Sequence, residues 1–551
     1  MMQEDRKGLS EQEYDVLIIG GGITGAGAAR DAAMRGLKTL MVDMNDLAFG
    51  TSSRSSKLVH GGLRYLEHAE FALVFESVSE RRILMKIAPH LVRAQGFLFP
   101  VFSDSRRSLL EINIGMWLYD GLSLFRSPKM HKSLSKKKLK KQEPSLRQED
   151  LKGAPQYYDC ATDDARLTLE SALDAVAHGA TVATYVKVLG FVKNEQNRIA
   201  GVRVLDRFTG EEKEIRARAV VNATGPWSDR LRGLKGEEIK KRLRPTKGIH
   251  IVVPTEKLSL NNAIVCFHPE DGRVLFAIPW GDRTYIGTTD TDYQSDPGDV
   301  AASGEDVRYL INVSNHYFPT AHLEEGDVIS TWAGVRPWVA DENSDDESAV
   351  SREHVLKIES DGLITSAGGK LTTYRKMGAE VVDKAIEYLR AIDRLPGNIR
   401  NANTAQEALP GAIGWPENGL ADIMHQIQTD AGEVLKSDTI QLLAETYGVR
   451  GKDVGEMAKR DASLQERLNP ERPEIMAQVK YAVEKELAKT IRDVLIRRTQ
   501  VFFRETEQGL NCLDRVAEEM AALLNWDEAK KQEEIEAYKE EVERSRRWRD
   551  E

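Results

Sequence analysis

The chain has 551 residues, with 77 Lys and Arg against 87 Asp and Glu, a formal net charge of −10, 41% hydrophobic and 30% charged residues. That balance fits a globular protein of two or three domains and argues against nucleic acid as the main partner. Three scattered cysteines, Cys160, Cys266 and Cys512, form no C-x-x-C, so neither a disulfide framework nor a zinc site is expected, and a reducing cytoplasm suits them.

The first residues, MMQEDRKGLSEQE, are polar, and the apolar run after them is too short for a signal peptide. No stretch approaches about eighteen consecutive apolar residues, so no transmembrane helix is expected. That first apolar run, Val16 to Ile19, has strand length and opens YDVLIIGGGITGAGAARDAAMRGLKTLMVD. Gly20, Gly22 and Gly25 fit G-x-G-x-x-G, a helix rich in alanine comes next, and a second strand ends on Asp43. The pattern predicts a βαβ dinucleotide site. Gly20 makes the tight turn, Gly22 admits a pyrophosphate, Gly25 brings helix against strand, and Asp43 accepts the ribose hydroxyls.

The next segment, GTSSRSSKLVHGGLRYLEH, is irregular in pattern yet carries Arg54, Lys57, His60, Arg64 and Tyr65. Such loops beside a phosphate site tend to hold function. Helices are predicted from Glu70 to about Ala88 and over residues 109 to 125. The run HKSLSKKKLKKQ reverses the sign of an acidic chain. At roughly 1 kcal/mol per lysine near an anionic membrane, its six lysines would supply at most about 6 kcal/mol, enough for reversible docking. Asp163 and Asp164 stand where an N-cap is expected. Ala180 to Asn194 reads as a strand, and Ala219 to Val221 as a buried strand running into Asn222, Ala223, Thr224 and Gly225. Residues 245 to 340 read as an antiparallel sheet. Leu363 to Ala367 then leads into Gly368, Gly369, Lys370, Leu371 and Thr372 at a helix start, a further anion or cofactor contact. A linker rich in Pro and Gly comes after Asp393, and beyond it the chain is helical and charged. Thr490 and Asp493 look like a capping box.

Together, IGGGITGAG, GTSSRSSKLVHGGLRYLE, TDDARL, VVNATGPW, TKGIHIVVP, IGTTDT, WAGVRP and AGGKLTTYRKM resemble the FAD-dependent glycerol-3-phosphate dehydrogenase family, in family order over residues 14 to about 380. The resemblance implies an α/β fold: a Rossmann-type FAD-binding domain, an antiparallel β-sheet substrate domain and an all-helical C-terminal cap domain. Residues 14–75, 155–245 and 335–392 would form the first domain, and 76–154 with 246–334 the second, membrane-facing one. A linker at 393–410 would lead to helical residues 411–551.

Noncovalent FAD would be held by Gly20, Gly22, Thr24, Gly25, Asp43, Thr51, Ser52, Ser53, Lys57, Val186, Ala223, Thr224, Gly225, Gly369, Lys370, Leu371 and Thr372. Glycerol 3-phosphate is a small dianion, so Arg64, Arg336 and Lys370, with Tyr65, would hold its phosphate. A neutral histidine near pH 7 is the natural proton acceptor, His60 first and His250 second. Arg336 would also stabilise alkoxide character. Electrons would pass to membrane quinone from a protein attached peripherally to the inner face of the cell membrane, with no metal and with a homodimer left open. An oxidase making hydrogen peroxide shares these motifs, but the oxidases of this resemblance carry an insertion for which the chain has little room. A non-catalytic flavin-fold binding protein is the remaining alternative.

Overall fold

The computed structural model describes residues 8–62, 70–123, 128–236, 239–340, 350–351 and 354–551. Within them, the middle of the first sheet is parallel: Leu363–Ala367, Glu212–Asn222, Glu13–Ile19, Thr39–Val42 and Thr181–Ala183 lie side by side in that order. A strand covered on both faces needs a continuous apolar run, and Val16 to Ile19 is buried throughout. Ile19 pairs with Val42 on one side and Asn222 on the other, so the glycine turn, Asp43 and the Asn222–Gly225 turn all emerge at the carboxyl edge. Ligands of such sheets bind at that edge.

Helices Ile23–Met34, Asp164–Ala177 and Tyr374–Ala391 cover the sheet. Ile23–Met34 and Tyr374–Ala391 cross at glycine: a Cβ on Gly378 would lie 2.5 Å from the Gly27 carbonyl carbon. Asp163 caps its helix, accepting from Arg166 N at 3.0 Å.

The second sheet is mostly antiparallel. Leu243–Pro254 pairs with Ser330–Ala340 and with Arg283–Gly287; the sheet continues through Val274–Trp280 and Ala263–Phe267 to Arg93–Leu98 and Leu151–Ala161. The sheets depart from the sequence boundaries at three points. Residues 58–59, 155–161 and 335–340, grouped by sequence with the cofactor domain, are hydrogen-bonded into the second sheet. Ladder pairing decides this, and it leaves no periodic mark in the sequence. Ala180 to Asn194 likewise splits into Thr181–Ala183 and Val186–Lys193, with Tyr185 at φ +60° between them.

The basic run forms strand Lys132–Ser135 and a seven-residue helix Lys136–Gln142, its six lysines exposed and Leu139 buried. From Leu420 onward the chain is helical. The thin apolar line of the last long helix, Ile535, Tyr538 and Val542, is buried, and Phe503 meets Trp332 of the second sheet at 5.5 Å between ring centroids. Thr490 and Asp493 make the expected reciprocal contacts: Asp493 Oδ2 accepts from Thr490 N at 3.0 Å, and Thr490 Oγ1 from Asp493 N at 3.3 Å. The helix they start is a π-helix, Asp493–Arg498.

Candidate active site

Two clefts meet where the sheets join. The first, about 750 Å³, runs along the carboxyl edge of the parallel sheet. Gly20, Gly22 and Thr24 form its floor, Asp43 and Val186 one end, Thr51 and Ser52 a side. Ala223, Thr224 and Gly225 line it midway, and Gly369, Lys370 and Leu371 the far end. Gly20 has φ +114°, and a Cβ there would lie 2.5 Å from Ala223 O, so only glycine turns the chain here. Ile23 N donates to Ser52 Oγ at 2.9 Å, fixing the helix start against the loop. Asp43 accepts from Gly21 N (2.6 Å) and Asn45 N (2.7 Å). Burial outweighs those bonds and pushes its carboxyl up to about 6.

Four residues assigned to the cofactor do not line this cleft. Gly25 lies behind it: a Cβ there would lie 1.9 Å from Gly20 O, the close helix–strand approach its position predicts. Ser53 is buried at 2% exposure. Lys57, at 3%, is consumed by Asp164 Oδ1 (2.6 Å) and Ser53 O (3.2 Å), because a buried ammonium needs a charged partner. Thr372 turns the other way. It accepts from His60 N at 3.1 Å and donates to His60 O at 3.2 Å.

The second cleft, about 830 Å³, is lined by His60, Arg336, Asp159 and Tyr157, by Arg106, Arg107 and Arg273, and by apolar residues including Phe97, Phe276 and Met116. Strand Ser330–Ala340 partitions the clefts. Side chains alternate along a strand, so Pro337 faces the first while Arg336 and Trp338 face the second. Arg336 is oriented by Thr288 Oγ1 (2.8 Å), Thr289 O (3.1 Å) and Asp290 (3.1 Å).

His60 Nδ1 accepts from Gly62 N at 3.2 Å. Burial lowers its pKa, Lys370 and Arg81 add to that and Asp159 opposes it, so the ring is neutral at pH 7. Beneath it, Gly61 N donates to both Tyr119 OH (3.0 Å) and Asp159 Oδ1 (3.2 Å), while Tyr119 OH donates to Asp159 Oδ1 (2.8 Å) and Arg81 pairs with Asp159. Gly61 leaves no room for a side chain, since its Cβ would lie 2.1 Å from Tyr119 OH.

His250 does not share the cleft of His60. It lines neither cleft, is 3% exposed, stacks on Trp332 at 4.7 Å and shares a hydrogen bond with Ser56 Oγ at 3.0 Å. It is a core histidine whose burial holds it neutral. Arg64 and Tyr65 lie outside the described residues. Arg336 and Lys370 are divided, Arg336 in the second cleft and Lys370 at the adjoining end of the first. Sequence reasoning missed Asp159, Arg106 and Arg273 here, with Tyr119 and Arg81 behind Asp159, and Arg497 and Arg544 in the first cleft; Arg54, noted in the loop, lines that cleft too. The Arg106–Arg107 pair was visible as charge but carried no motif.

Residues 15–375 match the model of FAD dependent oxidoreductases, and 402–531 that of the C-terminal domain of alpha-glycerophosphate oxidase. Aerobic glycerol-3-phosphate dehydrogenase of Staphylococcus haemolyticus (strain JCSC1435) is 37% identical over 531 residues, covering 96% of this chain and 94% of that one. The chain belongs to the FAD-dependent glycerol-3-phosphate dehydrogenase family. Its relative in Staphylococcus aureus (strain USA300) is also 37% identical, over 98% of this chain and 95% of that one. The family member from Bacillus halodurans, solved in complex with FAD, superposes with a TM-score of 0.80 at 33% identity, over 98% of this chain and 96% of that one. L-α-glycerophosphate oxidase of Mycoplasma pneumoniae shares the fold at TM-score 0.53 and 18% identity, over 69% of this chain and 95% of that one.

Proposed function

We propose that this protein oxidises sn-glycerol 3-phosphate to dihydroxyacetone phosphate with FAD as the immediate acceptor, and passes the electrons to membrane quinone. The observation that carries the reading is the two-way hydrogen bond between His60 and Thr372. It fastens the histidine of the second cleft to the Gly369–Leu371 end of the first. The first cleft suits FAD by its glycine floor and its terminal acid: a side chain on Gly20 would strike backbone, and a Cβ on Gly22 would come 3.3 Å from Ser52 Oγ. Gly20, Gly22, Thr24, Ser52 and Thr224 would hold its diphosphate, Asp43 and Val186 its adenosine, and Lys370 its far end. Bound there, FAD supplies a two-electron acceptor for the hydride on C2.

The chain's own groups do the rest. Arg336, Arg106 and Arg273 offer a dianion charge-assisted hydrogen bonds worth about 1.5–3 kcal/mol each. His60 takes the hydroxyl proton at Nε2, which requires its own proton to sit on Nδ1. The Gly62 N–H then loses its acceptor, a cost of about 1–3 kcal/mol. That cost is subtracted from the about 10²–10⁴-fold a general base contributes. Asp159, felt at the ring, stabilises the imidazolium that results. Lys370 steadies negative charge at the cofactor's far end.

An exposed apolar helix face beside the lysine run supports membrane docking. None of the described helices is long and apolar enough to cross a membrane. Helix Leu109–Leu122, however, exposes Leu110 (71%), Ile114 (60%), Trp117 (59%) and Leu118 (45%). Asn113 on the same helix donates to Ser133 Oγ at 3.3 Å, which sets the lysine run beside that apolar face. The helix also lines the second cleft through Ile112, Met116 and Leu118, so an apolar acceptor arriving from a bilayer would meet the cleft mouth.

Anaerobic addition of glycerol 3-phosphate should bleach the flavin absorbance, while glycerol and lactate should not. Near-stoichiometric peroxide with fast turnover and no quinone would move the assignment to the oxidase.

A further inference from the structure

The C-terminal helical region reaches the nucleotide end of the first cleft, where Arg497 and Arg544 line it without a role assigned so far. Resting on the FAD reading, we propose that this region controls FAD retention by latching the loop after Asp43 through Asp46, with Arg497 and Arg498 as positioning residues.

Asp46 is fully buried, three residues beyond Asp43. Arg498 grips it with two nitrogens, Nη1 to Oδ2 at 2.7 Å and Nη2 to Oδ1 at 2.9 Å, while Arg497 Nε donates to Oδ2 at 2.5 Å. Consecutive side chains on an α-helix diverge by about 100°. The π-helix Asp493–Arg498 widens the turn and lets two neighbouring arginines share one carboxylate; such distortions often mark functional positions. Arg497 Nη2 also donates to Asp493 at 2.6 Å, so two buried cations face two buried anions. Two arginines hold the Asp46 carboxylate ionised despite burial.

The latch acts on both walls of the cleft end. Leu47, next to Asp46, lies under the glycine turn, where a Cβ on Gly21 would be 2.8 Å from its Cδ2. Ala48 N donates to Gly21 O at 3.0 Å, so the loop and the glycine turn move together. On the opposite wall Tyr185 OH donates to Asp493 at 2.6 Å, and Val186 beside it lines the cleft. Arg492, Ile496 and Arg497 line it directly. Loosening Asp493–Arg498 therefore frees Asp43, the glycine turn and Val186 at once.

The test uses the full-length apoprotein, FAD titration by flavin fluorescence, and apoprotein melting. The latch variants are Arg497→Met and the conservative Arg498→Lys. The reference variant is Arg472→Met. Arg472 is equally buried and ties the same region to Asp282 (2.9 Å) of the second sheet, away from this cleft. The latch variants should raise the FAD Kd about tenfold or more, a coupling of about 1.4 kcal/mol. Arg472→Met should lower apoprotein melting and leave that Kd within about twofold. Unchanged Kd in both latch variants overturns the proposal, as does an equal rise in Arg472→Met. Failure of the parent apoprotein to bind FAD overturns the FAD reading, and the latch with it.

Discussion

The two clefts are built by different means. The floor of the first comes from one continuous βαβ unit, whose glycines act through backbone, so its residues lie close in sequence and at fixed offsets. The second is assembled from side chains of seven separated segments, and its functional groups are oriented by contacts between segments: His60 by Thr372, Arg336 by Thr288 and Thr289. A backbone cradle tolerates side-chain change but not added bulk. A side-chain cleft tolerates bulk at its rim but not loss of a functional group.

The sharpest break in that comparison comes from the second cleft. His60→Ala should lower kcat about 10²–10⁴-fold while FAD content stays near one per chain. Because burial places the His60 pKa below 6.5, kcat/KM of the parent should stay level through neutral pH and fall only at more acidic values. Loss of FAD in this variant would mean that the clefts are not separable. The matching change, just behind the first cleft, is Gly25→Ala. Its Cβ would meet backbone at 1.9 Å, not a flexible side chain. Overpacking of about 1–3 kcal/mol or more should result, with lower melting and FAD loss together; unchanged FAD content would show that the helix start can shift without harm.

Legibility divides along the same line. Gly20, Gly22 and the Gly369–Leu371 turn stand out in the sequence because backbone roles demand particular residue types at particular spacings, and Asp43 because an acid follows the glycines at a set distance. His60 and Arg336 were readable through the family resemblance and fall in one cleft. Lys57 misled because a cation in a conspicuous loop looks free until its partner, Asp164, is seen across 107 residues. His250 was open between cleft and core, and nothing in KGIHIVVP announces that Trp332 stacks on it. Tyr119, Asp159 and Arg81 were silent because each contact spans two helices and a strand with no local pattern. Asp46 and Arg497 lie 451 residues apart, and only the fold brings them together.

A smaller effect tests the end of the first cleft. Raising the Asp43 pKa from 3.8 to about 6 makes ionisation costlier in the folded apoprotein than in the unfolded chain. Its contribution to apoprotein stability is thus fully present below pH 3.8 and lost as pH rises through about 6. Ribose hydroxyls donate to the ionised form, so FAD affinity should move oppositely, weakening by up to about tenfold per pH unit below about 6. Fluorescence titration from about pH 5 to 8 reads this directly. Asp43→Asn should flatten the profile, and a parent profile already flat would remove Asp43 from the ribose.

The smallest expected effects concern the outer face of the second cleft, where two kinds of membrane attraction compete. Six exposed lysines offer at most about 1 kcal/mol each, screened by salt. Burying a large apolar side chain is worth about 1.5–3 kcal/mol in full. Leu110, Ile114, Trp117 and Leu118 are between 45% and 71% exposed, so each retains roughly half of that, about 1 kcal/mol. The two sets are therefore comparable at low salt, and only the apolar one survives high salt. Trp117→Glu should weaken sedimentation with anionic vesicles several-fold at any salt concentration. Neutralising Lys136, Lys137, Lys138, Lys140 and Lys141 should weaken it at low salt alone. Both changes leave His60 and Arg336 in place, so activity with a water-soluble acceptor should hold while activity with quinone in vesicles falls. Equal binding by the Trp117→Glu protein at high salt would place the membrane contact elsewhere and detach the acceptor route from helix Leu109–Leu122.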